Sequence, residues 1–158
     1  MPTIHLTTFI AAPAERVFDL CRSIDLHKKS MAHTGEEAVA GTTSGLIGKD
    51  ETVTWKARHF FKTRVLRSRI TSFNRPFSFT DEMVDGDFKS IRHEHHFKPT
   101  DNGTLLIDLF HFESPYGPLG RMANQLFLTN YMKGLLEIRN KIIRDYAESQ
   151  KWKSILDK

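Results

Sequence analysis

Two histidines, His93 and His95, lie one residue apart in a segment that reads as a β-strand. Successive strand side chains point to opposite faces, so both imidazoles project from the same face. Ile91 and Phe97 share that face, and their apolar character predicts that it points inward. An imidazole inside a protein can act as a general acid or base, as a metal ligand, or as a hydrogen-bond partner for a ligand.

A carboxylate on the next strand is the expected partner of these histidines. Both faces of residues 104–113 are apolar, but Asp108 shares its face with Phe110 and Phe112, so we predict that this face points inward. A buried aspartate without a partner is costly. We therefore expect a histidine or an arginine beside Asp108, with His93 or His95 as the natural candidate.

His-x-His on a strand is also a spacing of metal ligands. Metal sites built on such a pair need a third ligand, and Phe97-Lys98-Pro99 follows the histidines here. That ligand would have to be Asp108 or His59 from another strand. The simpler interpretation is a pair of inner-wall histidines that hydrogen-bond Asp108 or the polar end of a ligand. We predict no metal and no other cofactor.

Other catalytic chemistries find little support in the sequence. Cys21 lies in an apolar helical pattern without a neighbouring base, and no serine occupies a strained turn between a strand and a helix. The glycines within residues 41–48 match neither nucleotide-binding fingerprint. Asp81 and Glu82 are adjacent on a strand, so their carboxyl groups face opposite ways and cannot share a proton. We therefore assign no catalytic residue.

Hydrophobic periodicity and turn residues predict the elements that position these side chains. Residues 3–11 predict a first strand, Pro13 opens a short helix and Ser23 caps a second. Six strands follow, at residues 36–40, 50–60, 64–73, 77–84, 88–98 and 104–113. The last two are joined through Asn102-Gly103, a strong hairpin signal, and another turn is predicted near residues 61–63.

A long amphipathic helix is predicted from Pro118 to about Ser149, after a break in the sheet at residues 114–118. Its apolar residues recur at three- and four-residue spacing. They are Leu119, Met122, Leu126, Leu128, Met132, Leu135, Ile138, Ile142 and Tyr146.

A curved antiparallel sheet closed by one long helix leaves a cavity between the two. Strand parity predicts which side chains face it. The predicted ligand-binding residues, together with the helix stripe, are Trp55, His59, Phe79, Asp81, His93, His95, Asp108 and Phe110.

The composition is that of a globular protein. With 158 residues, 39% hydrophobic and 27% charged, we expect a single domain over residues 1–158. No apolar run approaches the roughly 20 residues of a membrane span, and residues 1–5 lack the blocks of a signal peptide. Cys21 is the one cysteine, and we expect a buried thiol in the cytoplasm.

A net charge of +4 permits acidic partners without requiring them. The densest basic stretch contains Lys62, Arg64, Arg67 and Arg69, without the interleaved aromatics of a nucleic-acid-binding face. We interpret it as a solvated sheet surface and predict no nucleic-acid partner. An interaction face for an acidic protein or RNA is a third, competing hypothesis.

Three segments carry a resemblance to a known family: residues 9–18, 53–60 and 92–97. With the order of elements, they make the chain similar to the START-like superfamily (SRPBCC), which includes Bet v 1-like allergens, polyketide cyclases and lipid-transfer domains. Within it, the chain resembles small cyclase/dehydrase-like proteins and proteins described as cell-division inhibitors. The resemblance implies an α+β helix-grip fold, with a curved antiparallel sheet around a long C-terminal helix.

The resemblance also implies a deep cavity for a lipid, sterol, polyketide or similar molecule. Our leading hypothesis is a protein that binds a small hydrophobic molecule, with no assigned catalysis, as a monomer or homodimer. The alternative is a cyclase, dehydratase or hydrolase in which a cavity histidine acts as general acid or base and Asp108 orients it.

Overall fold

One antiparallel sheet and one long helix form the frame of the molecule. The computed structural model describes residues 2–114 and 118–157, with side chains described at 2–114 and 125–157. The elements are β1 (Thr3–Ile10), α1 (Ala14–Cys21), α2 (Ile24–Ser30), a 3₁₀ turn (Ala32–Thr34), β2 (Glu37–Gly41), β3 (Thr52–His59), β4 (Lys62–Asn74), β5 (Ser78–Asp85), β6 (Ser90–Thr100), β7 (Gly103–Glu113), α3 (Pro118–Glu148) and α4 (Trp152–Leu156). The predicted order of elements is confirmed, and α4 is an addition that the sequence pattern did not predict.

The seven strands form one sheet in the order β1-β7-β6-β5-β4-β3-β2, with every neighbouring pair antiparallel. The strand register shifts between Ala38 and Ala40 of β2 and at two points between β4 and β5. Such bulges bend a strand and increase its twist. The result is a curved sheet with α3 on its concave side, so the predicted helix-grip architecture is confirmed. None of the described helices is long and apolar enough to cross a membrane.

Strand parity sorts the inner residues as predicted. On β6, Ile91, His93, His95 and Phe97 are all buried. On β7 the buried face carries Leu106, Asp108, Phe110 and Phe112. The inward assignment of Asp108 is therefore correct, even though both faces of β7 are apolar in sequence.

The buried residues separate into two hydrophobic clusters with polar side chains between them. One cluster contains Phe18, Phe97, Leu106, Ile143 and Ala147, among others. The second contains Ile4, Ile91, Phe110, Phe112, Leu128 and Leu136. On β6, β7 and α3 alike, polar residues lie between the members of the two clusters. Together with the half-buried Asp81 of β5, we call this set the polar layer: Asp81, His93, His95, Asp108, Arg139 and Asn140.

The predicted stripe of α3 is partly wrong. Leu126 is 69% exposed and Ile138 is 42% exposed, whereas Leu128, Leu136, Ile143 and Ala147 form the buried line. Ile138 follows Leu136 by two residues, which is more than half a turn of an α-helix and therefore points away from the sheet. Met132, Leu135, Ile142 and Tyr146 are half-buried. Leu119 and Met122 lie outside the described side chains, and residues 115–117 of the predicted break lie outside the described residues.

The turn between β3 and β4 lies one residue earlier than predicted, at Phe60 and Phe61. Both residues have positive φ, at 54° and 62°. Two-residue hairpin turns with this backbone favour Asn-Gly, and a side chain larger than glycine in the left-handed region costs roughly 1–2 kcal/mol. The turn therefore contains two phenylalanines where residues such as asparagine and glycine would be more stable.

Two short helices close one end of the sheet. Ser23 caps α2 as predicted, since its Oγ accepts the backbone N–H of Leu26 at 3.1 Å. Cys21, at the end of α1, is buried as predicted. From α1, Phe18 enters an aromatic group with Phe73, Phe79 and Phe97, whose ring centroids lie 5.3, 5.3 and 5.0 Å from its own.

Replacing Phe18 with alanine should lower the free energy of unfolding by about 3–5 kcal/mol, because the side chain is fully buried in that aromatic group. Equilibrium urea unfolding measures the loss. The control is Phe9→Ala on β1, where the ring is 45% exposed and the loss should stay below about 1 kcal/mol. Equal losses in the two variants would contradict the assignment of Phe18 to the core.

Candidate functional site

A cavity of about 290 Å³ lies between the concave face of the sheet and α3. Most of its wall is apolar, with polar groups confined to a few positions. The apolar lining includes Val53, Trp55, Leu66, Ile70, Phe79, Phe110, Leu128, Met132 and Leu136.

Seven of the eight residues predicted from the sequence line this cavity. They are Trp55, His59, Phe79, Asp81, His93, His95 and Phe110. Asp108 does not reach the cavity, because it is fully buried on β7 next to the His93 imidazole. The eight side chains therefore lie on the predicted face, and their role in binding a ligand stays a prediction.

The predicted pairing of a histidine with Asp108 is present. His93 Nε2 donates to Asp108 Oδ1 at 2.7 Å, although the residue directly opposite His93 on β7 is Phe110. His93 thus reaches diagonally across the sheet. Its Nδ1 makes no hydrogen bond to a described residue, and the ring lines the cavity.

His95 reaches diagonally in the other direction. Its Nε2 lies 2.8 Å from Asp81 Oδ2 on β5. Its ring stacks on His93, with centroids 3.7 Å apart, and on Phe79, with centroids 4.1 Å apart. Both faces of the His95 imidazole are therefore covered, which fixes its orientation.

Arg139 and Asn140 of α3 complete the polar layer, and the sequence interpretation missed both. Arg139 donates to Asp108 Oδ1 at 3.3 Å and to His95 Nδ1 at 3.2 Å. Asn140 donates to Asp108 Oδ2 at 2.7 Å. Both residues lie at helical spacing between the buried Leu136 and Ile143, and polar residues inside a buried stripe were the signal that could have identified them.

Arg139 determines which nitrogen of His95 carries the proton. A guanidinium has donors and no acceptor, so Nδ1 of His95 must accept and Nε2 must carry the hydrogen that Asp81 accepts. Burial, aided by the neighbouring His93, lowers the pKa of His95 to about 3. This histidine is therefore neutral and is held in one tautomer.

The two carboxylates of the polar layer remain ionised. Burial alone would raise the pKa of Asp108, but the His93 hydrogen bond and the Arg139 charge hold that pKa well below its usual value. Burial likewise opposes ionisation of Asp81, but the hydrogen bond from His95 and the electrostatic influence of the two histidines and Arg139 together lower its pKa. Two carboxylates thus face one guanidinium.

One group of described residues has the composition of a metal site. Ligand atoms of Asp81, His93 and His95 all lie within 4.8 Å of one another. The third ligand would therefore be Asp81, which corrects the expectation of Asp108 or His59. The hydrogen bonds disfavour a metal at this group. If His95 bound a metal through Nε2, its proton would have to move to Nδ1. Nδ1 would then no longer accept the hydrogen bond from Arg139, and two N–H donors would face each other.

Further polar groups lie elsewhere on the cavity wall. His59 Nδ1 shares a 2.6 Å hydrogen bond with the hydroxyl of Tyr131 on α3, and burial lowers the pKa of His59. His27 packs against Trp55, with ring centroids 4.4 Å apart, and bonds Glu36 at 2.7 Å. Neither Tyr131 nor His27 was predicted, since each depends on side chains that meet only in the folded chain.

The profile of the family described as "Polyketide cyclase / dehydrase and lipid transport" matches residues 1–156. The chain belongs to this family. Among proteins with curated descriptions, none is significantly similar in sequence. The predicted membership of the START-like, Bet v 1-like superfamily is confirmed, and the predicted likeness to cell-division inhibitors stays a prediction.

Solved structures share the fold at low sequence identity. The protein TTHA0849 from Thermus thermophilus has a TM-score of 0.75 at 18% identity, with 92% of this chain and 97% of that chain covered. The ZhuI aromatase/cyclase from Streptomyces sp. R1128 has a TM-score of 0.73 at 13% identity, with 93% of each chain covered. Major latex-like protein 151 from Panax ginseng has a TM-score of 0.66 at 16% identity, with 94% and 98% covered.

The buried neutral His95 should make stability depend on pH. Below pH 6.5, the ordinary pKa of histidine, His95 becomes protonated in the unfolded chain. In the folded protein its pKa is about 3, so it stays neutral there. Stability should therefore fall with decreasing pH by about 1.4 kcal/mol per unit across that window. His95→Gln, which can still donate to Asp81 and accept from Arg139, should remove this contribution.

Urea unfolding near pH 7 and near pH 5 tests this effect, and the variant should lose about 2 kcal/mol less than the wild type between the two. His96→Gln, on the outer face of β6, is the control and should keep the wild-type slope. An unchanged slope in His95→Gln would contradict the assignment.

Proposed function

We propose that the protein binds a small hydrophobic molecule whose polar end meets the polar layer. The observation that carries this proposal is the apolar cavity of about 290 Å³ with Asp81, His93, His95 and Arg139 in its wall. Ligand sites in proteins are characteristically apolar concavities with a few fixed polar groups that orient the ligand. Membership of a cyclase and lipid-transport family supports the same function.

Apolar burial is the main source of affinity in such a site. Each Å² of apolar ligand surface removed from water contributes on the order of 25 cal/mol. A ligand that buries about 300 Å² therefore gains roughly 7.5 kcal/mol before the cost of losing its translational and rotational freedom. The polar contacts then select among ligands of similar size.

The polar layer favours a ligand end that donates hydrogen bonds. Asp81 Oδ1 and His93 Nδ1 accept no hydrogen bond from a described residue, and both side chains line the cavity. The layer already holds two carboxylates against one guanidinium, so a third carboxylate would be repelled. A hydroxyl, phenol or amine at the polar end of the ligand matches these acceptors.

The proposed site comprises the seven predicted residues that line the cavity together with Tyr131 and Arg139, and the eighth, Asp108, would act on the ligand only through His93. We assign it to one ligand-binding domain over residues 1–158, which the family match over nearly the same range supports. The single, buried Cys21 supports a reducing compartment such as the cytoplasm. Monomer and homodimer are both compatible with a cavity inside one chain.

Filling the cavity should weaken binding without unfolding the protein. Ala57 lines the cavity, so Ala57→Phe should weaken the binding of an anilinonaphthalene dye or an alkyl phenol by more than roughly tenfold. Thr54→Phe, which adds the same ring on the opposite face of β3, should bind like the wild type. Dye fluorescence titration and native mass spectrometry measure the difference.

Two results would overturn this proposal. One is the absence of any bound molecule after gentle purification together with no binding across a library of lipids and aromatic compounds. The other is equal affinity in Ala57→Phe and the wild type, with thermal unfolding showing that both are folded.

General acid–base catalysis is a second candidate function, and the His93–Asp108 pair favours it. The 2.7 Å bond to Asp108 fixes the Nε2–H tautomer of His93 and leaves Nδ1 as a base in the cavity wall. Asp108 would stabilise the imidazolium formed when Nδ1 takes a proton from a carbon flanked by carbonyl groups. Cyclisation or dehydration of a poly-β-ketone is the reaction class that such a base serves.

His93→Gln should lower kcat for such a substrate by about 10²–10⁴-fold, because the amide can still donate to Asp108 but cannot accept the proton. Binding of a non-reactive alkyl phenol should weaken by less than about tenfold, because Asp81 and the glutamine amide oxygen can still accept its hydrogen bond. Liquid chromatography of the products and circular dichroism of the variant check both points. Turnover equal to the wild type would exclude this role, and an unfolded variant would show that His93 is structural.

A further inference from the structure

The turn between β3 and β4 presents an exposed aromatic surface. Phe61 is 92% exposed at the tip of the hairpin, and Phe60 beside it is 39% exposed. The Phe60 ring lies 5.5 Å from that of Phe127 and 4.6 Å from that of Tyr131 on α3. Leu126 and Phe127 are also exposed. We call Phe60, Phe61, Leu126 and Phe127 the aromatic tip.

The backbone of this turn makes the aromatic residues unexpected. Phe60 and Phe61 both have positive φ, a conformation in which Asn-Gly is favoured and bulky side chains are disfavoured. Phe61 also makes no ring contact within the described part of the chain. Neither backbone geometry nor packing on the described residues therefore explains a phenylalanine at this position, whereas contact with a partner would.

Unpaired cations flank the aromatic tip. Arg58 lies opposite Thr63, and Lys62 lies opposite His59, so neither has a carboxylate across the hairpin. Both are exposed, and neither forms an ion pair with a described residue. Asp87 is already paired with Arg64 at 2.7 Å. The hairpin end thus combines exposed aromatic rings with positive charge.

We infer that the aromatic tip docks on the surface of an anionic lipid bilayer. The tip protrudes from the end of a hairpin, so its side chains can insert into a deformable surface such as a lipid bilayer. Aromatic rings at the level of the headgroups, with cations beside them, are the chemistry that binds such surfaces. Phe60 and Tyr131 also line the cavity, so docking at the tip brings the cavity to the bilayer.

Vesicle flotation tests the inference with the full chain. The vesicles contain equal parts phosphatidylcholine and phosphatidylglycerol, and pure phosphatidylcholine vesicles are the reference. Phe61→Ala should lower the partition coefficient on mixed vesicles roughly tenfold, and Arg58→Glu should lower it at least about fivefold. Binding of the wild type should weaken as salt screens the headgroup charge.

Phe77→Ala is the matched control, because Phe77 is 53% exposed just beyond the opposite end of β4. It should bind vesicles like the wild type. Phe61→Gly separates fold from function: its melting temperature should hold or rise, since glycine suits positive φ, while vesicle binding is lost. Both Phe61 variants should bind an alkyl phenol in solution as the wild type does, which keeps this test independent of the proposed cavity function.

Several outcomes would overturn the inference. They are absence of wild-type binding to mixed vesicles, equal binding to the two kinds of vesicle, and equal binding by Phe61→Ala and the wild type. Sedimentation velocity tests the alternative that a second copy of the chain binds the tip. If the wild type dimerises, Phe61→Ala does not, and neither binds vesicles, the tip is an interface between two copies.

Discussion

A carboxylate without exposed surface, Asp108, is the constraint on which the arrangement of the site depends. A buried charge is costly unless it is paired and hydrogen-bonded. Its oxygens accept from His93, Arg139 and Asn140, and these donors belong to β6 and α3. Satisfying one charge on β7 therefore fixes where the helix lies over the sheet. In the described part of the chain, α3 meets the sheet through the polar layer at its middle and through hydrophobic clusters on either side.

The same constraint also fixes the side chains that would meet the proposed ligand. The imidazoles of His93 and His95 stack and reach toward carboxylates on opposite neighbouring strands, so neither ring can rotate without breaking a buried hydrogen bond. Arg139 is held by Asp108 and by His95 at once. Groups fixed in this way lose little conformational freedom when a ligand arrives, and preorganisation of that kind increases affinity.

The strands could be predicted from sequence far better than the helix side of the site. Two-residue alternation places His93, His95 and Asp108 on the inner face whatever the rest of the chain does, because pleating is local. A helical stripe must be selected among overlapping sets of apolar residues, and the predicted stripe includes Ile138 where Arg139 is the buried residue. From sequence alone, Arg139 would be assigned to the exposed face of the helix. Only the folded structure shows that Asp108 lies opposite it. The predicted turn misses Phe60 because phenylalanine does not favour positive φ.

In the proposed function, the polar layer also determines which ligands the cavity can distinguish. A ligand taken from water gains free energy from apolar burial, but a ligand taken from a bilayer leaves an environment about as apolar as the cavity. For that ligand the hydrophobic contribution to the binding free energy is close to zero. The polar contacts then account for most of the difference in affinity between ligands. Asp81 and His93 present acceptors inside a wall of low polarity, where hydrogen bonds are stronger than in water. The layer that holds α3 on the sheet is thus also the part of the cavity most able to select one hydrophobic molecule over another.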